Sequence, residues 1–237
     1  RMKRQGGVAP PVDLYHTLGP GHSLLHAFEA LAQTGCHRVP VVNANGRIVG
    51  IYTSSMAISD LRQSLHLFGN LCDKRVEDCY QSECVYTVRE DTRAIDAFRK
   101  LSELGISGCP IVDEQNTLIG SLSTRDLRGI GSSGEHMARL FWPVAQFKEQ
   151  ARKEHPQLAT ATHWSTSTVP RTARYVVNSD TFADVIRAMA DGCLHRVFVA
   201  SEESAGAGKP VVVGVISQTD VLKTVVAHLG TLNPNSF

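Results

Sequence analysis

The sequence predicts an α+β fold assembled from three copies of one small unit, each running strand, helix, strand, strand, helix. Two observations predict it: an internal repeat, and an apolar periodicity that switches between helical and extended spacing inside each copy. The segment Gly35-Cys36-His37-Arg38-Val39-Pro40-Val41-Val42, continued by Gly46-Arg47-Ile48-Val49-Gly50-Ile51-Tyr52-Thr53, is the first copy. Shifted by 70 residues, it lands on Gly105-Ile106-Ser107-Gly108-Cys109-Pro110-Ile111-Val112 and then Leu118-Ile119-Gly120-Ser121-Leu122-Ser123. A third copy runs from Cys193 to Val199 and from Val212 to Asp220, offset by 88 residues in its first half and 94 in its second, because the tip Ser201–Lys209 is longer.

Each copy, here A, B and C, opens with an amphipathic helix. Its apolar residues recur at three- and four-residue spacing: Leu24, Ala27, Phe28 and Leu31 in A; Ala94, Ala97, Phe98 and Leu101 in B; Phe182, Val185, Ile186 and Met189 in C. His22-Ser23, Asp91-Thr92 and Ser179-Asp180-Thr181 precede these helices, where side-chain oxygens can accept from the free N–H groups of a first turn. Gly35, Gly105 and Gly192 suit the helix ends. Two β-branched runs follow, joined by turns such as Asn43-Ala44-Asn45-Gly46 and Asp113-Glu114-Gln115-Asn116, and read as hairpins. A second helix closes each unit: Ala57 to Leu67, Asp126 onward, and Asp220 to Leu229. A unit this small buries only ~60 % of its unfolded surface, so the units are expected to pair.

The resulting map has a tail at 1–12, repeat A at 13–68, repeat B at 77–130, a helical insertion and loop at 131–167, repeat C at 168–230 and a tail at 231–237. In the insertion, Met137, Leu140, Phe141, Val144 and Phe147 suggest helix, with Pro143 dividing it or opening a new one. The chain begins at Arg1, which suggests a fragment with something missing upstream.

Composition bounds the function. Of the 237 residues 42 % are apolar, and 24 basic residues stand against 23 acidic ones, a net charge of +1. No strong field argues for nucleic acid as a partner, so a charged ligand must be held locally. No apolar run approaches the ~18 residues of a membrane span, and the first residues lack the apolar core of a signal peptide. A cytoplasmic protein is expected, with the nucleus also open to it. The six cysteines, Cys36, Cys72, Cys79, Cys84, Cys109 and Cys193, are scattered and read as reduced thiols.

The three copies, with their apolar strand, glycine turn and Ser/Thr-x-x-Asp entry to a helix, resemble tandem CBS (cystathionine β-synthase) domains. The resemblance implies that the repeats pair into a Bateman-type module. Within that family the chain looks most like the gamma regulatory subunit of AMP-activated protein kinase. Repeat C reads Leu194-His195-Arg196-Val197 with Ser217-Gln218-Thr219-Asp220 like the last gamma repeat, and B has Ser107 in an S-x-x-P setting like the third. Repeat A reads His37-Arg38 like the second and carries Met56 where B and C have Asp126 and Asp220. A, B and C are therefore expected to match the second to fourth gamma repeats, with the first upstream.

An adenine nucleotide needs an apolar slot, an acceptor for the ribose hydroxyls and donors for the phosphate. The strand edges Val39–Val42, Ile106–Val112 and Val197–Val199 can wall the base. Asp126 and Asp220 can accept from vicinal hydroxyls, and Ser217 and Thr219, or Ser123 and Thr124, set hydroxyls beside helix N–H groups. His37-Arg38 and His195-Arg196 can supply charge. By resemblance, one site would use Ser217, Thr219 and Asp220 with Ile106 and Ser107; the other would use Asp126 with His195 and Arg196, helped by His37 and Arg38. The same aspartates can instead be plain helix caps, the two histidines ligand-free residues at strand edges, and Ser107 a packing residue.

Other signals point away from chemistry. His22 and His26 share a helix face without a third ligand, and Cys72, Cys79 and Cys84 lack paired zinc spacing. Ala207-Gly208-Lys209-Pro210 lacks a phosphate loop's first glycine and its Ser/Thr, and reads as a flexible hairpin tip. No nucleophile setting or carboxylate pair is recognisable, so no catalysis, cofactor or metal is expected. The expected function is regulatory: AMP, ADP or ATP bound between paired repeats and controlling a partner such as protein kinase catalytic and scaffold subunits, with a homodimer also open. A scaffold with vestigial pockets and a sensor of S-adenosylmethionine are the alternatives.

Overall fold

The computed structural model describes residues 16–80, 85–131, 133–154 and 174–232. Repeat A contains α1 (Leu24–Thr34), β1 (Arg38–Val42), β2 (Ile48–Thr53) and α2 (Ser54–Gln63). Repeat B contains β3 (Val88–Arg89), α3 (Ala94–Glu103), β4 (Gly108–Val112), β5 (Leu118–Ser123) and a 3-10 turn at Thr124–Ile130. After a second 3-10 turn at Met137–Phe141 comes α4 (Val144–Glu154). Repeat C contains β6 (Tyr175–Val177), α5 (Phe182–Asp191), β7 (Arg196–Ala200), α6 (Glu202–Gly206), β8 (Val212–Ser217) and α7 (Gln218–Leu232).

The three hairpins share one register. Arg38 faces Thr53, Gly108 faces Ser123 and Arg196 faces Ser217, and each ladder shifts before the last residue of its first strand. A short parallel strand joins the hairpin in B (β3 beside β4) and C (β6 beside β7). In A it shrinks to one bridge, where the Leu18 N–H donates to Pro40 O (2.9 Å) and the Val42 N–H to Leu18 O (2.7 Å).

The opening helices start and stop for local reasons. The Ser23 hydroxyl accepts from the His26 N–H (3.2 Å), and Thr181 with Asp184 forms a reciprocal cap. In B neither Asp91 nor Thr92 caps; Arg93 holds that position without a side-chain bond. The Ala94 N–H instead donates to Trp142 O (2.9 Å), so a crossing segment satisfies the turn. The left-handed residues after these helices are Gly35 (φ 65°), Gly105 (φ 65°) and Cys193 (φ 48°), not Gly192. Cys193 thus holds, at some strain, the position that glycine fills in A and B.

Three further expectations change. The element closing B is a 3-10 turn rather than an α-helix, and the closing helix of A ends at Gln63 before a separate 3-10 turn at Leu65–Leu67. The tip of the third hairpin is not a loose loop: α6 folds there, with the Ser201 hydroxyl accepting from the Ser204 N–H (3.4 Å). Of the insertion, residues 155–167 lie outside the described residues, as do Cys84 and both tails but for Thr231 and Leu232.

The helices of A pack against those of C, while Ile48, Val49 and Ile51 of its hairpin are exposed. α1 packs on α7, and α2 on α5 and α7. Phe28, Leu31, Ile58 and Leu61 of A thereby share one core with Phe182, Ile186, Val221 and Leu222 of C. Repeat B has a separate core, where Leu101 and Leu122 meet Val144 and Phe147 of α4.

B and C exchange the segments that lead into them. Before B, the Val76 N–H donates to Asp180 O (3.0 Å) and Lys74 O accepts from the Phe182 N–H (2.8 Å), both at the start of α5 in C. Before C, the Val144 N–H donates to Thr92 O (2.8 Å) and Trp142 O accepts from Ala94 at the start of α3 in B. The two sets are equivalent, so B and C are related by a pseudo-twofold exchange. Leu118 N–H to Pro210 O (2.7 Å) adds a direct bond between their hairpins.

Arg139, buried under the Trp142 ring, grips Glu154 with both terminal nitrogens and ties the 3-10 turn to the end of α4. These bonds, then one from Gln150, hold the Glu154 carboxyl down at about 2, below its ordinary 4.5. A depressed carboxyl stabilises the fold fully above its unfolded value and loses that contribution as pH falls through the folded one. The melting temperature is therefore expected to lose this contribution between about pH 4.5 and 2, and Glu154→Gln is expected to flatten that part of a melting-against-pH curve. Leu61→Ala is expected to cost about 2–5 kcal/mol in urea unfolding and to loosen amide protection in α5 as well as α2, because the two helices share a core.

Candidate functional site

The strand register sets two of the expected binding residues across from each other. Arg196 opens β7 directly across from Ser217, the last residue of β8, and Asp220 lies three residues on in the first turn of α7. Asp220 Oδ2 accepts from the Ser217 N–H (2.8 Å) and the Ser217 hydroxyl (2.7 Å), while the Asp220 N–H donates back to Ser217 Oγ (3.3 Å). This reciprocal cap holds the carboxylate rigid and leaves Asp220 Oδ1 without a partner among the described residues. Thr219 beside it is half-buried. The buried Gln218 amide donates to Leu194 O (2.9 Å) and reaches Ser55 of repeat A (3.4 Å), locking the turn from behind.

Arg196 crosses from C into B. Its guanidinium donates to the Gly108 carbonyl and to the Ser107 hydroxyl. Gly108 occupies in B the strand position that an arginine holds in A and C. A Cβ there would sit 3.0 Å from the Arg196 Nη1 and 2.5 Å from Leu122 O, so any side chain would displace the guanidinium. Burial lowers the Arg196 pKa from its ordinary value.

Next to this contact, Arg125 Nη2 donates to His195 Nε2 at 2.7 Å. Burial first, then the charges of Arg125, Arg196 and His37, lower the His195 pKa from 6.5, so the imidazole stays neutral and accepts this bond. His37 of repeat A therefore faces the same cluster electrostatically. Arg38 is exposed and makes no hydrogen bond to it among the described residues. Arg125 also borders an open groove of about 660 Å³ lined by Thr124, Leu127, Arg128, Ile130 and Gly131.

The equivalent site in B is built differently. Asp126 Oδ2 accepts from the Ser123 N–H (2.7 Å), as in C, but its Oδ1 accepts from Lys148 Nζ at 2.8 Å. The lysine and aspartate side chains are only 6 % and 10 % exposed, so both carboxylate oxygens are consumed in a closed pair. In A, Met56 stands at this position, 47 % exposed. Ile106 and Ser107 are at the surface, where Ser107 O accepts from the Thr124 N–H (3.0 Å).

Sequence reasoning missed two residues here. Arg125 sits inside the Ser-Thr-Arg-Asp motif, and a cation next to the aspartate was a readable signal. Lys148 gave none, because only the tertiary fold carries α4 back onto Asp126. Among the described residues no group of three or more His, Cys, Asp or Glu is placed to hold a metal, and no helix is long and apolar enough to cross a membrane.

The sequence model of the family described as "CBS domain" matches residues 10–62 and 76–132. These two stretches are tandem CBS domains. Repeat C has the same hairpin register and the same irregularity, and so is a third unit of that topology. Among solved structures, one from Methanocaldococcus jannaschii, put forward as an archaeal homologue of the AMP-activated kinase gamma subunit, aligns at a TM-score of 0.64 and 16 % identity, covering 90 % of this chain and 67 % of that one. An uncharacterised conserved protein from Pyrococcus horikoshii aligns at 0.58 and 21 %, covering 89 % and 79 %. Among curated proteins, Protein SDS23 of Yarrowia lipolytica is 23 % identical over 96 % of this chain and 51 % of its own length. Homoserine O-acetyltransferase of Methanococcoides burtonii is 32 % identical over 47 % of this chain and 21 % of its own. The CBS chain thus spans about half or less of these curated relatives.

Because Arg125 is one cause of the low His195 pKa, Arg125→Gln is expected to raise the His195 midpoint toward 6.5. A ring-proton titration by NMR reads this directly.

Proposed function

We propose that this CBS chain is a regulatory module that senses AMP, ADP or ATP at the seam between repeats B and C and controls a partner protein. The observation that carries the reading is the Asp220 oxygen that has no partner among the described residues, presented at the strand end that Arg196 opens, with Arg125 of repeat B bonded to the neutral His195 beside it. A carboxylate oxygen with no partner is an acceptor for a ribose diol, and a partly desolvated cation cluster is an electrostatic seat for phosphate. The apolar edge of Ile106 offers a wall for the base. A protein kinase catalytic subunit with its scaffold subunit is the partner class suggested by the resemblance to the gamma subunit. Regulation requires that the nucleotides differ in affinity for two states of the module, since equal binding shifts nothing.

Two observations favour a narrower second reading, a CBS scaffold with vestigial pockets: Met56 replaces the aspartate in A, and Lys148 takes the one in B. A ligand such as S-adenosylmethionine would share the ribose and base contacts but carries no phosphate.

Calorimetry with AMP, ADP, ATP and S-adenosylmethionine tests these readings. Nucleotide binding with a Kd on the order of micromolar is expected, weakened at least tenfold by Asp220→Asn. Arg125→Gln is expected to weaken AMP while leaving adenosine unchanged. Equal binding of S-adenosylmethionine and AMP would remove the phosphate reading, and no binding by any ligand would leave the scaffold.

A further inference from the structure

We propose that Lys148 is the residue that sets how many adenosine ligands the module takes: its ammonium occupies the ribose acceptor of repeat B, leaving C as the open site. The proposal rests on reading Asp220 as a ribose acceptor. The pseudo-twofold exchange allows the two sites to be compared position by position. Val144 and Val76 make the same backbone bond onto the first turns of α3 and α5, so Lys148, four residues after Val144, is the counterpart of Tyr80, four residues after Val76.

The two side chains go different ways. The Tyr80 ring lies over the Gly214 backbone, where a Cβ would come within 2.2 Å of it, and its hydroxyl donates to Asn178 Oδ1 (2.9 Å). It leaves Asp220 alone. Lys148 extends to Asp126 Oδ1 at 2.8 Å. The lead-in to B runs on from Val76 only as a short 3-10 turn, whereas that to C continues as α4, so the helix together with its lysine separates a closed acceptor from an open one.

The closure is strong for a physical reason. Both hydroxyls of a ribose and the ammonium of a lysine are donors, so they compete for the same carboxylate oxygen. The ammonium carries charge and is already desolvated, at 6 % exposure. A diol that displaced it would strand a buried cation without a partner, which costs far more than one neutral hydrogen bond returns. α4 cannot readily swing away, because Val144 and Phe147 are fully buried in the core of B and Glu154 is held by Arg139.

AMP stoichiometry by calorimetry is the test. Wild type is expected to bind one AMP, Lys148→Ala two, and the Lys148→Ala/Asp126→Asn double variant one again; Asp126→Asn alone is expected to leave the count unchanged. The added site should have an affinity within tenfold of the first. Lys148→Met, which keeps the buried stem, replaces the alanine variant if that fails to fold. A folded Lys148 variant that binds no more AMP than wild type, or a wild-type site lost in Asp126→Asn, overturns the proposal. Should wild type bind no AMP, the reading of Asp220 fails. The Lys148 proposal is then decided by whether its variant gains a site that Asp126→Asn removes.

Discussion

The helices of repeat A and those of repeat C must cover one another, and the rest of the molecule is arranged around that constraint. A unit of this size cannot bury both faces of its hairpin and both of its helices alone. α1 and α2 of A supply Phe28, Leu31, Ile58 and Leu61 to a core completed by α5 and α7 of C. Repeat C therefore has its helical side committed to A, and meets B through its strand ends and the crossing lead-in segments. That division places Arg196 and His195 on the seam with B rather than in a helical core.

At the seam, burial does the electrostatic work. Arg196, half-buried against Gly108 and Ser107, and Arg125, bonded to His195, bring two positive charges to the seam, where they are only partly shielded from water. A neutral imidazole is the response of the most easily titrated member, its pKa lowered first by burial and then by the neighbouring charges. Opposite charge is carried there by the reciprocally capped aspartates. Asp220 keeps one oxygen free, whereas Asp126 spends both, and this asymmetry arises from a helix lying outside the repeat itself.

The insertion thus touches the candidate site of B through one side chain. α4 completes the core of B with Val144 and Phe147, and on its next residue delivers Lys148 to Asp126. Its far end is pinned by Glu154 to Arg139, which is itself buried beneath Trp142. Packing and two ion pairs reinforce one another over a single helix of three turns.

The sequence alone determined the repeat, the hairpins and the polar set at corresponding positions. Local rules govern these: apolar periodicity for α1 and α5, β-branched runs for the strands, and side-chain caps at Ser23 and Thr181. Ser217-x-x-Asp220 was readable because a reciprocal cap is a contact across three residues. The tertiary structure decided what depends on residues distant in the chain. That A packs on C, that Arg196 reaches Ser107 and that Lys148 closes Asp126 are contacts between segments 22 to more than 80 residues apart. No local spacing encodes them, since a side chain's partner across the fold is chosen by which buried charges and apolar faces the whole chain must satisfy together. The 3-10 turn that closes B follows the same logic: its sequence suits an α-helix, but α4 lies against it and its aspartate is held by the lysine from that helix.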